Sequence, residues 1–339
     1  MARGFFAVFS TLLLSMGALA EDTWPYMTLQ TADFTPPQLE VKKTGTTDPG
    51  YIFIGPRGNQ PNGTAALIYD EDGNLVYQGP TEVSANFKVQ NLYNKDVITF
   101  WAGDMMELGF GYGTVHILDD TYEEIYTVTL PGNFISPDGV TRDSYIDLHE
   151  SHVTSRNTLL VTAYNITQFD LTPIGGKMDD YMLDGMFFEI DIATNNIVYQ
   201  WSALEHIQDI PLERSKQGLG DDYGTQEKPW DAYHINSVEL VDGGWIISLR
   251  HYWSGFFIAE NGTIMWQLSV SFCSLALITS NTDGLFRVRK VLGTLKSTTV
   301  PSSRGSTTCA STTRRMRAWF WICLTMPTHP QKRLLPPPV

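Results

Sequence analysis

His234, Asn236, Arg250 and His251 are the residues of this chain best suited to do chemistry. They lie in the stretch Trp230–Trp253, W-D-A-Y-H-I-N-S-V-E-L-V-D-G-G-W-I-I-S-L-R-H-Y-W. An imidazole, a carboxamide and a guanidinium gathered at one place suit an oxyanion such as sulfate, phosphate or carboxylate. The guanidinium offers a fork of donors, and the other two add N–H groups at fixed angles. Either histidine alone reads more plainly as a buried polar group that has found a partner. The combination of the three residue types is what points to binding.

Their meeting depends on the elements that carry them. The stretch reads as two strands rich in β-branched and aromatic residues, joined at Asp242-Gly243-Gly244, a strong hairpin signal. Period-2 alternation along the first strand puts His234 and Asn236 on one face. The second strand ends at Arg250-His251.

The rest of the chain up to residue 268 shows strands and turns with little helical period. One unit recurs: an alternating strand, an Asp/Gly/Asn turn, and a strand ending in an aromatic. It occurs at Thr64–Tyr77, Gly113–Tyr126, Met186–Trp201 and Gly255–Trp266, with further strand pairs at Phe87–Trp101 and His152–Ala163. The expected fold is therefore all-β. Self-similar hairpins of this kind suggest the blades of a β-propeller in a single domain; a sandwich would alternate as well, without the repeated outer hairpin.

Composition divides the chain. Of 23 Lys and Arg, ten lie beyond residue 268, against one of the 37 Asp and Glu. The body is acidic, which argues against a nucleic-acid partner. Cys273, Cys309 and Cys323 all fall in the basic tail, so no disulfide framework is implied for the body. Arg3, the apolar run Phe5–Met16 and Ala18-Leu19-Ala20 have the form of a secretory signal peptide over residues 1–20, and the run is too short for a stable membrane anchor. The sequons at Asn62, Asn165 and Asn261 then become candidate glycosylation sites.

Weaker signals have plain readings. Asp70-Glu71-Asp72-Gly73-Asn74 fits a hairpin turn better than a calcium loop, and Gly109-Phe110-Gly111-Tyr112-Gly113 has no helix after it to cradle a phosphate. Asp179, Asp180 and Asp184 read as a solvated loop. His149, Glu150 and His152 could ligate a metal, but no fourth ligand stands at a diagnostic spacing. No metal and no cofactor are expected.

Several motifs together resemble the fungal branch of the arylsulfotransferase family, related to bacterial arylsulfate sulfotransferases. They are Pro49–Pro56 (P-G-Y-I-F-I-G-P), Ile98–Gly103 (I-T-F-W-A-G), Asp147–Glu150 (D-L-H-E), Phe188–Asp191 (F-E-I-D) and the His234–His251 segment. The resemblance extends over residues 24–268. It implies a six-bladed propeller, of which about four blades are present, with the site in the central channel. The implied chemistry is nucleotide-independent sulfuryl transfer between a phenolic sulfate ester and a phenol through a sulfated histidine. By motif, His149 matches a channel histidine, His234 and Asn236 the next pair, and Arg250 the sulfuryl-binding arginine, with Asn236 assigned to substrate binding. The partner would be a small aryl sulfate or phenol. His251 has no family role and reads as a rim residue.

The family's nucleophilic histidine sits in a later Q-H-D motif, which is absent; after His251 only His329 remains. Residues 21–268 are thus expected to form an incomplete arylsulfotransferase-like propeller, and residues 269–339 a non-native or disordered basic tail. Val270-Ser271 can be encoded by GTGAGT, a splice-donor sequence. Ser303–Pro330, read with each new codon starting at the third base of an old one, permits a peptide containing S-W-Q-H-D. A retained intron with a shifted frame is the expectation, and the chain should be inactive. Two other readings stand beside it: a non-catalytic secreted propeller binding a carbohydrate, phenolic or protein ligand, and a quinone-dependent dehydrogenase, for which tryptophan-docking repeats and a calcium site are missing.

Overall fold

The computed structural model describes residues 34–57 and 63–269. The signal peptide, Asn62 and the tail beyond residue 269 lie outside the described residues. The chain divides at Thr81 into two compact units. The first holds one three-stranded antiparallel sheet, β1 (Ile52–Ile54), β2 (Leu67–Tyr69) and β3 (Leu75–Gln78). Its Asp70–Asn74 segment is a hairpin turn, in which the Asp70 carboxylate accepts from the amides of Asp72 and Asn74.

The second unit holds three four-stranded antiparallel sheets, each a simple up-and-down run. They are β4 (Ser84–Leu92), β5 (Lys95–Met105), β6 (Gly111–Leu118) and β7 (Glu124–Val128); then β8 (Ser151–Val153), β9 (Thr158–Phe169), β10 (Asp180–Asp191) and β11 (Ile197–Ser202); then β12 (Ile235–Val241), β13 (Gly244–Leu249), β14 (Ser254–Ala259) and β15 (Ile264–Ser269). The fold is all-β, as expected. Among the described residues helix occurs only as short 3-10 turns, and none is long and apolar enough to cross a membrane.

The repeat seen in the sequence is the last hairpin of every sheet. In each, the pairing slips by one residue at the same point, leaving Val76, Ile125, Val198 and Met265 as the extra residues. A bulge of this kind sharpens the local twist. β14 alternates buried and half-buried positions strictly, whereas β9 is buried along most of its length and so is covered on both faces. One apolar cluster draws Tyr112 from β6, Tyr164 from β9, Phe187 from β10, Trp245 from β13 and Phe256 from β14, and so joins the three sheets.

Asp179–Asp184 departs from expectation. Only Asp179 is exposed; Asp180 and Asp184 belong to β10 and are buried. Asp184 accepts from Ser202 Oγ at 2.6 Å and the Leu204 amide at 3.1 Å. The strand alternation there is masked because both faces of β10 are covered, so a carboxylate can turn inward if donors await it.

The glycine-rich stretch Gly109–Gly113 has a packing role. Trp101 lies over it, and a Cβ on Gly113 would stand 2.2 Å from Ala102 O and 2.6 Å from the indole. From that slot Trp101 Nε1 donates to Ile146 O at 2.9 Å. Ile146 directly precedes the D-L-H-E motif, so the slot fixes the entry to His149.

Candidate functional site

His149 sits in the loop that leads into β8. Its Nδ1 lies 2.8 Å from Asp147 Oδ2, and its amide donates to the same oxygen at 2.9 Å. Asp147 is fully buried and otherwise saturated, accepting from Thr162 Oγ1 on β9 and from the Gly111 amide on β6, both at 2.9 Å. A carboxylate with this many donors stays ionised. Burial alone would raise its pKa, but the His149 charge and these hydrogen bonds bring it below the usual value. Burial likewise pushes the His149 imidazole down. The Asp147 carboxylate outweighs this, and the net shift is upward. Asn86, at positive φ in β4, donates its amide to Leu148 O at 2.7 Å and holds the loop from the other side.

His234 precedes β12 rather than lying in it. Its φ is +51°, and the pairing of β12 with β13 slips between Ile235 and Ser237, leaving Asn236 as the bulged residue. The expectation that alternation sets His234 and Asn236 on one face is therefore corrected: a left-handed turn and a bulge place them. Histidine at positive φ is uncommon and persists where its surroundings over-determine it. Here the His234 amide donates to Asp231 Oδ1 at 3.0 Å, Nδ1 bonds Asp231 Oδ2, and the Arg250 amide donates to His234 O at 2.9 Å. Tyr164, buried on β9, donates its hydroxyl to Ile235 O at 2.7 Å.

These anchors bring the imidazoles together from two sheets. The rings of His149 and His234 are 5.0 Å apart, nearly perpendicular, and His251 lies 5.1 Å beyond His234. The Tyr164 ring stands 6.2 Å from His149 and 5.9 Å from His234. His234 Nε2 is buried, with no hydrogen-bond partner among the described residues. Arg250 opens a 3-10 turn after β13 and is exposed; its charge opposes protonation of both His149 and His251. His149, His234 and Arg250 are thus gathered. Asn236 is half-buried and joins no ring or hydrogen-bond contact of the cluster.

Four contributors were not expected in the roles they take. Asp147 and Asp231 are each close in sequence to the histidine they anchor, a D-x-H and a D-x-x-H spacing that could have been noticed. His251, expected at the rim, packs against His234, with Nδ1 donating to the Asp231 carbonyl at 2.6 Å. Tyr164 carries no local signal, because its contact spans 71 residues.

Asp231, His234 and His251 have the residue types of a metal site, with one ligand atom from each within 4.8 Å of the others. Their geometry is that of hydrogen bonding. Two ligands of one tetrahedral zinc ion at bond lengths near 2.1 Å stand roughly 3.4 Å apart, and His234 Nδ1 and Asp231 Oδ2 approach more closely. The other candidate set does not assemble: Glu150 pairs instead with Lys88 Nζ at 3.2 Å. A cleft of about 660 Å³ opens near Lys88, Gln90 and His152. Its main polar groups are already used, Gln90 by Thr99, Ser151 and Val153, and Lys88 by Glu150. The histidine cluster keeps free donors and is the better site. Asn261 lies in the exposed β14–β15 turn, whereas Asn165 is half-buried in β9 with its carbonyl engaged by the Ile135 amide.

The family model of the arylsulfotransferases (ASST) matches residues 88–272. The chain belongs to the arylsulfotransferase family. The match contains Asp147, His149, Tyr164, Asp231, His234, Arg250 and His251, and leaves the Pro49–Pro56 motif outside it. No curated protein and no solved structure matches the chain. An imidazole whose pKa is raised, a buried imidazole and a guanidinium with no ion pair among the described residues are groups that can hold a sulfuryl oxyanion.

Proposed function

We propose that the His149–His234–Arg250 cluster binds the sulfuryl group of a phenolic sulfate ester. The observation that carries this reading is the pair of carboxylate-anchored imidazoles 5.0 Å apart, beside a guanidinium that makes no ion pair among the described residues. Arg250 supplies charge to the sulfuryl oxygens, and His149, whose pKa is raised by Asp147, adds to it when protonated. Asn236 completes the set as a donor from the bulge. The fold that serves this site is a β-propeller, with the three four-stranded runs and their repeated bulges as its blades.

The family chemistry passes the sulfuryl group through a histidine in a Q-H-D motif. This sequence has no such motif, and the chain as it stands binds aryl sulfate without turning it over. The basic residues after 268 are the product of a shifted reading frame, whose other frame permits Q-H-D. The protein enters the secretory pathway through residues 1–20 and carries glycan at exposed sequons such as Asn261.

The test is calorimetric binding of 4-nitrophenyl sulfate and of inorganic sulfate to the full chain, followed by release of 4-nitrophenol with phenol as acceptor. Binding without turnover is expected. Arg250→Ala should weaken binding by about 1.5–3 kcal/mol, the range for a hydrogen bond to a charged group. Wild-type affinity in Arg250→Ala, or no binding by the wild type, would remove the assignment.

A further inference from the structure

His251 lies beyond the groups assigned to the sulfuryl oxygens, and its surroundings define what it can offer. A carbonyl oxygen only accepts, so the bond from His251 Nδ1 to Asp231 O at 2.6 Å requires the proton on Nδ1. Nε2 is then the free nitrogen of the neutral ring. It is engaged by no hydrogen bond among the described residues and, unlike that of His234, is not sealed from solvent by them. Burial, outweighing the pull of the Asp231 carboxylate, lowers the pKa of this ring, while that of His149 is raised. The two rings are thus biased in opposite directions, His149 toward holding a proton and His251 toward accepting one, the pattern by which acid and base roles divide between like groups. A neutral Nε2 lone pair repels an oxyanion and accepts from a hydroxyl.

We propose that His251 is the group that receives the hydroxyl of a phenol, and that Asp231 is the positioning residue which serves His251 and His234 together. Asp231 does so with two different parts of itself. Its backbone carbonyl holds His251, and its carboxylate holds both the Nδ1 and the amide of His234. The consequence is that Nε2 of each ring faces away from its anchor. His234 is the inner, buried group and His251 the outer, half-buried one, so the phenol sits on the solvent side of the sulfuryl group. This assignment rests on the proposed aryl sulfate reading.

Histidine-selective ¹⁵N spectra of the full chain test it, with phenol and inorganic sulfate as separate probes. Phenol is suitable because its hydroxyl, like that of tyrosine, keeps its proton at neutral pH. Above pH 6.5, His251 should show a protonated Nδ1 and a bare Nε2, and phenol should move the Nε2 resonance. In His251→Asn the amide can keep the bond to the Asp231 carbonyl while Nε2 is lost. That variant should bind phenol about tenfold more weakly, the upper end for one neutral hydrogen bond, and bind sulfate as the wild type does. In Asp231→Asn the oxygen can stay on the His234 amide, leaving the NH₂ to face Nδ1. His234 should then switch its proton to Nε2, while His251 keeps its tautomer. A wild-type His251 protonated on Nε2, unchanged phenol affinity in His251→Asn, or equal loss of phenol and sulfate in that variant overturns the proposal. If phenol behaves as stated and sulfate fails to bind, the sulfuryl reading falls and the hydroxyl-accepting role of His251 stands.

Discussion

His149 and His251 are the same side chain in opposite electrostatic settings, and the difference can be read in solution. Each is partly withdrawn from water, which by itself disfavours the cation. His149 meets a buried carboxylate directly and ends with its pKa raised; His251 meets a backbone carbonyl, with the nearest carboxylate oxygen of Asp231 at 4.0 Å, and ends with it lowered. The raised His149 stabilises the fold below the unfolded pKa near 6.5, and that stability is lost as pH rises through its higher folded value. The depressed Asp147 contributes above 3.8 and loses its share as pH falls through its lower folded value. The pair is therefore intact between these limits. An NMR titration should give a midpoint above 6.5 for His149 and below it for His251, with sulfate affinity falling as His149 deprotonates. The reverse order of midpoints would contradict the assignment. At this scale the sequence was informative wherever the groups share one hairpin, as His234, Arg250 and His251 do. It was silent on Tyr164 and Asn86, whose contacts depend on how separate sheets pack.

Among the elements, β10 shows where the pattern of residues misleads. Asp184 lies on it, buried, and its surroundings raise its pKa to about 6 against 3.8 for the free side chain. Burial is the main cause, and the bonds from Ser202 and Leu204 only moderate it. A carboxylate with a raised folded pKa favours the native state only while it is protonated. Its contribution is therefore full below 3.8, fades as pH rises to about 6, and above that leaves a cost of up to about 3 kcal/mol at 1.36 kcal/mol per unit. Asp184→Asn can accept from Leu204 and donate to Ser202 without a charge. It should raise stability at pH 7, measured by urea unfolding, and flatten the change in stability between pH 4 and 6. A variant less stable than wild type at pH 7 would show that the native carboxylate gains more from its donors than burial takes away. The outer hairpins were legible because a turn signal and an aromatic recur in each. The bulges were not, because one extra residue leaves a short alternating pattern intact. A separate bulge, in the β12–β13 pairing, hid the true placement of His234 and Asn236.

Across the second unit, the sheets are joined by buried groups as well as by apolar packing. Glu189 on β10 is fully buried. It accepts from Thr158 Oγ1 on β9 at 2.7 Å and from Trp245 Nε1 on β13 at 3.3 Å, with Arg156 Nη1 3.6 Å away. Trp245 stacks on Tyr199 at 4.0 Å and packs against Phe187, in the cluster that also holds Tyr164 and Tyr233 around the site. Removing the carboxylate would strand the indole N–H in the interior, leave the Thr158 hydroxyl with Thr154 Oγ1 alone and leave Arg156 with Glu260. Arg156 is half-exposed and keeps its charge in water, so the main loss is the buried donor left unsatisfied, about 1–3 kcal/mol. Glu189→Ala should lower the melting temperature of the whole unit, because a core shared by three sheets cannot yield at one of them alone. Near-ultraviolet circular dichroism reports the tryptophan environments, and far-ultraviolet dichroism reports the strands. Both curves should move together and remain superimposable. If the near-ultraviolet signal melts first in the variant, the sheets unfold separately, and the close approach of His149 to His234 depends on a weaker join than the structure implies.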